Sequence, residues 1–353
     1  MRRSRRRRRT RMPFDVLLAG GLGLSILLFA LAGGADFGAG FWSLLSRRGE
    51  RAQEQRELIE SAIGPVWEAN ELWIVVSTVI LWTAFSPAFA AYGISLFIPF
   101  VLAIAGILLR GAFLAFRIEA GEEATGGAYT FFGEIFGSMS IITPFFLGMA
   151  AGAIASGRLR LNENELPADG YFQPWLGPFP LIVGILGLAT CAYLAAIYLT
   201  FEAHDNPPLQ EDFRLRGIIS GIVLGVLGVI ALPITRSDAP YMWNGVSEGL
   251  GLALMLVATL SLAISVGLLF VRRYWWARAT AILQVTAVFC AWAVAQYPYL
   301  LVPDITIQDA ASPQPVLVAM SILVVVYVVV LGPSLYFLFR IFKTRSAGRE
   351  EEP

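Results

Sequence analysis

Long apolar runs separated by short polar segments dominate the chain. A run of about 20 apolar residues can cross the roughly 30 Å hydrocarbon layer of a membrane as a helix. We identify nine such runs, with ends defined to within several residues. They cover residues 14–45, 69–89, 92–117, 130–155, 176–201, 216–235, 248–271, 277–299 and 315–341. The pattern therefore predicts an all-α polytopic membrane protein, a bundle of about nine transmembrane helices.

The second and third runs are the most unusual part of this pattern. Only a few residues separate them, and we expect them to form a helical hairpin around Pro87, with the runs at 71–89 and 92–116. Because they lie so close together, the number of spans is least defined here. The second run opens with WEANELW, which places two carboxylates and two indoles where the chain enters the membrane. Carboxylates at such an entrance are costly to keep dry and are useful where protons must pass.

The composition agrees with a membrane protein and suggests no separate soluble domain. Of 353 residues, 57% are hydrophobic and 15% are charged, and the mean hydropathy is +0.67. Backbone polar groups must be satisfied internally in lipid, and we see no alternation typical of a barrel, so the spans are predicted to be helices. We expect one transmembrane domain at 13–342, a basic arm at 1–12 and a cytoplasmic tail at 343–353.

Basic residues are unevenly distributed between the two sides of the nine-span bundle. The loops on the side of the C-terminus contain fifteen and the opposite loops three. The positive-inside rule therefore places the C-terminus and the WEANELW entrance in the cytoplasm. The remaining eight arginines form the N-terminal tract MRRSRRRRRTR, which nine spans would leave outside.

Three explanations of this conflict are open. The tract could be an over-extended translation start, with Met12 as the true first residue, which we favour. The spans could number eight, or the arm could lie inside and hold the first helix against the others. Such a run could contact anionic lipid. Because the formal net charge of the chain is zero, we expect no nucleic-acid partner.

Histidine and cysteine usage limits the cofactors that this chain could bind. Its single histidine, His204, lies in the polar loop EAHDNPPLQED, so a haem held by two buried histidines is excluded and a zinc site is not expected. Cys191 and Cys290 lie in apolar runs and are expected to be small buried hydrophobic residues. We therefore expect no metal site, and no cofactor bound by this chain alone.

Several acids gather near one end of the predicted bundle. Asp36 lies near the end of the first run within a glycine-rich segment, where helices can pack closely, although a carboxylate reaching for the interface is an equal alternative. Glu68 and Glu71 are three residues apart and would share a helix face. Asn70 could donate a hydrogen bond to an acid, and Arg110 on the next span could keep one ionised. These residues suit either proton entry or a cation-coupled transporter.

Three further features belong to this end of the bundle. Residues 47–60 mix arginine and glutamate at helical spacing, which is typical of a solvated surface helix. Glu134 lies one turn inside the fourth run. Arg117 ends the third run.

Three motifs around these residues resemble a known family. The DFGAG after the first run, the arginine-rich loop leading to GPVWEANELW, and the LLRGAFLAFR that ends the third run resemble subunit II of the cytochrome bd-type quinol:oxygen oxidases. The match covers about Asp36 to Arg117, and the span number and the FRIFKTR tail agree with it. The Trp-acid-x-Asn-x-x-Trp element is the most specific part.

The resemblance implies a function and a set of partners. This chain would be a non-haem subunit, without catalytic residues of its own, that scaffolds the haem-bearing subunit I of an enzyme reducing oxygen to water. Subunit I would contain haem b, haem d and the quinol site. Some family members also contain a structural quinone in this subunit, and a small single-helix accessory subunit and lipid are further partners. The complex would lie in a bacterial or archaeal cytoplasmic membrane.

The resemblance also implies a cytoplasmic proton path past the acids at the positions of Asp36 and Glu68. This chain departs from the family at three points, because Gly33 and residues 114–116 lack expected aspartates and Glu68 replaces an aspartate. Glu71 or Glu134 could compensate. The predicted path therefore consists of Asp36, Glu68, Glu71 and Glu134, supported by Trp67, Asn70, Trp73, Arg110 and Arg117.

Two other hypotheses remain beside a proton-delivering oxidase subunit. In a secondary transporter, Asp36, Glu68 and Arg110 would bind substrate and ion, and broken helices would lie near the bilayer midplane. In a purely structural partner, the acids would only anchor the ends of helices.

Overall fold

A computed structural model describes residues 14–46, 51–64, 66–120, 127–162 and 170–348. The predicted basic arm at 1–12 lies outside the described residues, as does the end of the predicted tail. The described part contains thirteen helices and one two-stranded antiparallel sheet. The helices are α1 (Phe14–Leu45), α2 (Ala52–Ile63), α3 (Trp67–Ala84), α4 (Ser86–Ser95), α5 (Phe97–Ala120), α6 (Gly127–Ser156), α7 (Pro178–Glu202), α8 (Pro207–Asp238), α9 (Pro240–Ser247), α10 (Gly249–Phe270), α11 (Tyr274–Gln296), α12 (Ile307–Ala310) and α13 (Gln314–Gly348), and the strands are β1 (Tyr299–Leu301) and β2 (Ile305–Thr306).

The described helices confirm an all-α polytopic membrane fold of about nine spans. Eight of them are long and apolar enough to cross a membrane, and the bent pair α3 and α4 makes a ninth if it counts as one span. The predicted bounds mostly agree with the observed helices. The exceptions are the second and third spans, described below, and α8. Helix α8 begins well before residue 216 because Pro207 suits a first turn and the Asn206 side chain accepts from the Leu209 N–H. No break marks the predicted boundary after residue 342, since α13 continues to Gly348.

The predicted tight hairpin around Pro87 is wrong. Helix α3 ends at Ala84, and α4 then turns away from it by 117° before α5 begins at Phe97. Pro87 lies in the first turn of α4, where its missing N–H costs nothing. Ser312 caps the end of α3, because its N–H donates to the Ala84 carbonyl at 2.9 Å and its hydroxyl to the Thr83 carbonyl at 2.7 Å.

The link between α11 and α13 is folded more regularly than its proline-rich sequence suggests. Strands β1 and β2 form a small hairpin, and α12 follows with a capping box between Thr306 and Asp309. The Tyr92 hydroxyl of α4 donates to the Leu300 carbonyl of this hairpin. The hairpin and α4 therefore pack together at one end of the bundle, which we call the Pro87 end.

Helix α1 is central to the bundle and packs against α3, α6 and α7. Its glycine-rich last third is required for this packing, since a Cβ at Gly38 would lie 1.8 Å from the Cys191 carbonyl oxygen and one at Gly40 would lie 2.1 Å from the Ser140 hydroxyl. Trp42 adds a hydrogen bond of 2.8 Å from its indole N–H to the Ala192 carbonyl. This end of α1, together with the start of α3 and the end of α5, forms what we call the Glu68 end.

The prediction of a solvated surface helix is wrong for α2, because one face of this helix is buried. Gln55, Ile59 and Ile63 lie on a buried face, whereas Glu57 on the opposite side is exposed. Arg51, just before α2, forms an ion pair of 2.6 Å with Asp212 of α8. Arg47 and Arg48 lie outside the described residues.

Candidate functional site

Asp36 lies within the protein and does not reach for a membrane interface. Asp36 is 4% exposed, and its carboxylate accepts a hydrogen bond of 2.8 Å from the side-chain amide of Asn70. Asn70 is itself buried in the first turn of α3. The close packing of α1 against α6 and α7 keeps this carboxylate away from lipid.

Arg110 lies beside these residues on α5 and is 1% exposed. Its Nη1 donates to Glu71 Oε1 at 3.2 Å, and the Glu71 side chain is 21% exposed. The rings of Phe37 and Phe136 flank the guanidinium, with their centroids 4.6 and 5.5 Å from its carbon. The charge of Arg110 is also close enough to act on Asp36. The structure thus brings two carboxylates to one buried cation.

In the described part of the chain, Arg110 uses only one of its nitrogens in a hydrogen bond. Nε and Nη2 are buried without a hydrogen-bond partner. A guanidinium has five N–H donors in a planar fork, and it often grips a carboxylate with two of them. Arg110 therefore retains donors with which it could contact a second acid.

The two tryptophans of the entrance motif pack on either side of this site. Trp67 fills the space beside Gly111, where a Cβ would lie 2.7 Å from the indole ring. Trp73 makes an edge contact with Tyr327 of α13, with ring centroids 6.3 Å apart. It also packs against the cluster around Phe37. Both indoles thus position α3 relative to its neighbours.

The other two predicted acids lie further from Asp36. Glu68 is exposed in the first turn of α3, and it makes no hydrogen bond or ion pair with the described residues. Glu134 is half-buried on α6, next to Gly133, where a Cβ would lie 3.1 Å from the Arg117 guanidinium. Glu134 is therefore at the level of Arg117 rather than at the level of Arg110.

Arg117 forms a second buried ion pair closer to the Glu68 end. Its Nη2 lies 2.5 Å from Glu60 Oε1 of α2, and its Nη1 donates to the Ser43 hydroxyl of α1 at 3.2 Å. Ser43 follows Asp36 by seven residues, as Arg117 follows Arg110, so each helix places its pair on one face about 10.5 Å apart. The end of the bundle thus has an outer level at Arg117 and a deeper level at Arg110.

An apolar layer separates the two levels. Leu114, Phe136 and Ile63 come from α5, α6 and α2, and all three are buried in one hydrophobic cluster. Charges at the two levels are therefore insulated from one another by side chains that cannot form hydrogen bonds.

Sequence reasoning missed Glu60 and Ser43. A usable signal was the apolar spacing of Ile59 and Ile63, which indicates that one face of α2 is buried. A second was Arg117 itself, because an arginine at the end of a span needs a carboxylate if it is buried.

The histidine content does not fit a haem held by buried histidines in this subunit. His204 is the single histidine of the chain, and its side chain is 67% exposed beside Asp205. Since this imidazole lies in the link between α7 and α8, the bundle offers no histidine to a haem iron.

Comparison with known proteins identifies the family. The family model described as cytochrome bd terminal oxidase subunit II matches residues 14–342. A Bacillus subtilis (strain 168) protein named "Putative cytochrome bd menaquinol oxidase subunit II" is 21% identical over 341 residues, which cover 93% of this chain and 95% of that protein. The cytochrome bd-I ubiquinol oxidase subunit 2 of Escherichia coli (strain K12) is 25% identical over 50% of this chain and 46% of its own length.

A solved structure supports the fold independently. The bd oxidase from Geobacillus thermodenitrificans contains a chain with a TM-score of 0.75 and 24% sequence identity, and the match covers 94% of this chain and 99% of that one. The break between α3 and α4 lies at the Pro87 end, away from the acids, so the transporter hypothesis is not favoured. The family implies a haem-based complex with a partner subunit I. This chain belongs to the cytochrome bd terminal oxidase subunit II family and is a membrane subunit of a terminal oxidase.

Proposed function

We propose that this subunit delivers protons from the cytoplasm to the oxygen-reducing haem of its partner, in addition to scaffolding that partner. Reduction of oxygen to water consumes one proton for each electron, and the protons must reach a haem buried in the membrane. The observation that carries the proposal is the buried carboxylate of Asp36, hydrogen-bonded to Asn70 beside the pair of Arg110 and Glu71. An ionisable group inside a membrane is costly and is typical of a proton relay.

The route begins at Glu68, which is exposed, and continues to Glu71. The two acids share a face of α3, and Glu71 is partly exposed beside Arg110. From Glu71 the proton passes to Asp36, the deepest acid. Glu134 serves the outer level near Arg117, and Trp67, Asn70 and Trp73 keep α3 in position.

The complex around this subunit follows from the same reasoning. It oxidises a quinol, which the names of the relatives give as menaquinol or ubiquinol. Subunit I contains haem b and haem d, since the bundle of this subunit has no histidine for them. Lipid, a structural quinone and a small single-helix subunit are further partners. The excess of basic residues in the loops on the C-terminal side supports a cytoplasmic C-terminus in a bacterial or archaeal inner membrane.

Asp36→Asn in the complete oxidase, co-expressed with subunit I, tests the proposal. We expect quinol-driven oxygen consumption to fall at least about tenfold, while haem content and co-purification stay unchanged, because the amide cannot carry a proton. Asp15→Asn, on a partly exposed residue in the first turn of the same helix, is the matched control. Unchanged turnover in Asp36→Asn would show that protons take another route, and loss of haem would indicate an anchoring role instead.

A further inference from the structure

We propose that Asp36 and Glu71 share a single proton, and that the guanidinium of Arg110 turns from one carboxylate to the other as that proton is exchanged. This inference rests on the proposed function and describes how its deepest site works. It makes Arg110 a positioning residue and assigns one stored proton to the site.

Charge balance is the first argument. Asp36, Glu71 and Arg110 together carry one negative charge if both acids are ionised, and none if one is protonated. A buried site with an uncompensated charge is unfavourable, so the neutral arrangement with one proton is preferred. Arg117 cannot supply the missing charge, because it is paired with Glu60 beyond the apolar layer.

The surroundings of the three groups reinforce this balance. Helix α6 contributes the ring of Phe136, and α7 contributes Cys191, which is buried near Arg110. Glu68 on α3 adds a further negative charge near Glu71. In the described part of the chain, these contacts bring no second cation to the site. An additional negative charge from Glu68 makes the doubly ionised arrangement still less favourable.

The contacts of Arg110 are the second argument. It donates to Glu71 through Nη1 alone, at 3.2 Å, whereas Asp36 is held by the amide of Asn70. The buried Nε and Nη2 have no hydrogen-bond partner among the described residues. Aromatic rings flank the guanidinium, so it keeps a favourable environment while it turns. Arg110 can therefore form an ion pair with either acid, one at a time.

The exchange leaves the site neutral at its start and at its end. In the arrangement seen here, Glu71 is the ionised partner of Arg110 and Asp36 bears the proton. A proton arriving at Glu71 from the Glu68 end neutralises it and releases Arg110. Arg110 then turns toward Asp36, which gives up its own proton toward the partner subunit and becomes the ionised partner. One proton has entered, one has left, and the site is neutral again. The proton on Glu71 then passes to Asp36, and Arg110 returns to Glu71, which restores the starting arrangement.

Infrared difference spectroscopy of the complete oxidase tests the shared proton. The C=O stretch of a protonated carboxylic acid shifts in D2O, and we compare wild type with Asp36→Asn, Glu71→Gln and the exposed control Glu57→Gln. We expect the same band to be lost in both Asp36→Asn and Glu71→Gln, because the remaining acid then pairs with Arg110 and is ionised. Glu57→Gln should retain it. A band lost in only one of the two variants, or in neither, would overturn the proposal.

Assembly yields provide a second test if a single variant is poorly produced. Asp36→Asn/Glu71→Gln leaves the buried Arg110 without a counter-charge, so the yield of haem-loaded complex should fall. The addition of Arg110→Gln should restore that yield. A double variant that assembles as well as wild type would contradict the charge balance. The outcome is separate from the proposed function, because proton delivery is judged by oxygen consumption of Asp36→Asn.

Discussion

Arg110 is a cation in the interior of a membrane subunit, and its environment explains why it is tolerated there. Phe37 and Phe136 cover its faces, Glu71 accepts one hydrogen bond, and the carboxyl group of Asp36 lies nearby on α1. A buried cation without such partners would be strongly destabilising. The polar residues of this site are therefore mutually dependent, and removal of one alters the electrostatic free energy of the others.

Substitutions of Glu68 distinguish a role in proton entry from a role in anchoring the start of α3. As an exposed acid without partners among the described residues, it should be replaceable without loss of the fold. We expect Glu68→Gln to lower oxygen consumption several-fold while haem content stays normal, and Glu68→Ala to do the same.

The readout is oxygen consumption per haem in the purified complex, with Glu57→Gln as an exposed control. Loss of assembly in Glu68→Ala but not in Glu68→Gln would instead assign Glu68 a role in anchoring the start of α3.

Much of the deeper site could be predicted from the sequence because its polar residues interrupt apolar runs. Asp36, Asn70, Glu71 and Arg110 are such interruptions, and the structure brings all four together. Glu60 could not be found this way, because it lies in a polar segment where acids are common. Its contact with Arg117 depends on how α2 docks, which is a tertiary property.

Helix α2 joins separate parts of the bundle at the Glu68 end. Glu60 contacts Arg117 of α5, and Gln55 accepts from Arg216 and donates to Asp212, both on α8. A twelve-residue helix is marginal on its own, so these tertiary contacts maintain it. The same contacts connect α5 to α8, which lie in different halves of the chain.

Neutralising the ion pair between Glu60 and Arg117 tests how much this contact of α2 stabilises the subunit. Glu60→Gln should destabilise the subunit by about 3 kcal/mol, because the buried Arg117 then loses the carboxylate 2.5 Å from its Nη2. The double variant Glu60→Gln/Arg117→Gln should recover most of that loss, since it removes the buried cation together with this carboxylate.

Thermal unfolding of the detergent-solubilised complex measures both variants. Equal melting temperatures for wild type and Glu60→Gln would show that the pair contributes little to stability.

The apolar runs predicted the long helices well, whereas the connection between α3 and α5 required the structure. The segment Ser86–Ser95 is as hydrophobic as the spans on either side of it, so the apolar pattern could not distinguish α4 from α3 and α5. Its orientation depends on Ser312 and Leu300, which are distant in sequence.

At the scale of the whole molecule, an odd number of membrane crossings determines which side the end of α13 and the two levels of charge lie on. With α3 and α4 counted as one span, the described helices cross nine times, so α13 ends on the same side as the Glu68 end. The acids, the two ion pairs and most basic loops are therefore on one side. This side must be the cytoplasm if the positive-inside rule applies.

Fusion of reporters to the C-terminus tests this orientation. A fluorescent protein that matures only in the cytoplasm should be bright, and a phosphatase that is active only outside should be inactive. Because α1 begins at the end of the bundle opposite to the one where α13 ends, a fusion at the N-terminus of a chain starting at Met12 should give the reverse result. Phosphatase activity at the C-terminus would invert the membrane placement of the acids.

The hydrogen bonds along α3 constrain how this subunit can move. Ser312 clamps its last turn, the Ser77 hydroxyl meets that of Ser25 at 2.8 Å in its middle, and Asn70 ties its first turn to Asp36. A helix that is hydrogen-bonded to its neighbours at both ends and in the middle is held rigidly in place. Movement near the buried acids during turnover should therefore involve side chains, while the backbone of α3 stays in place.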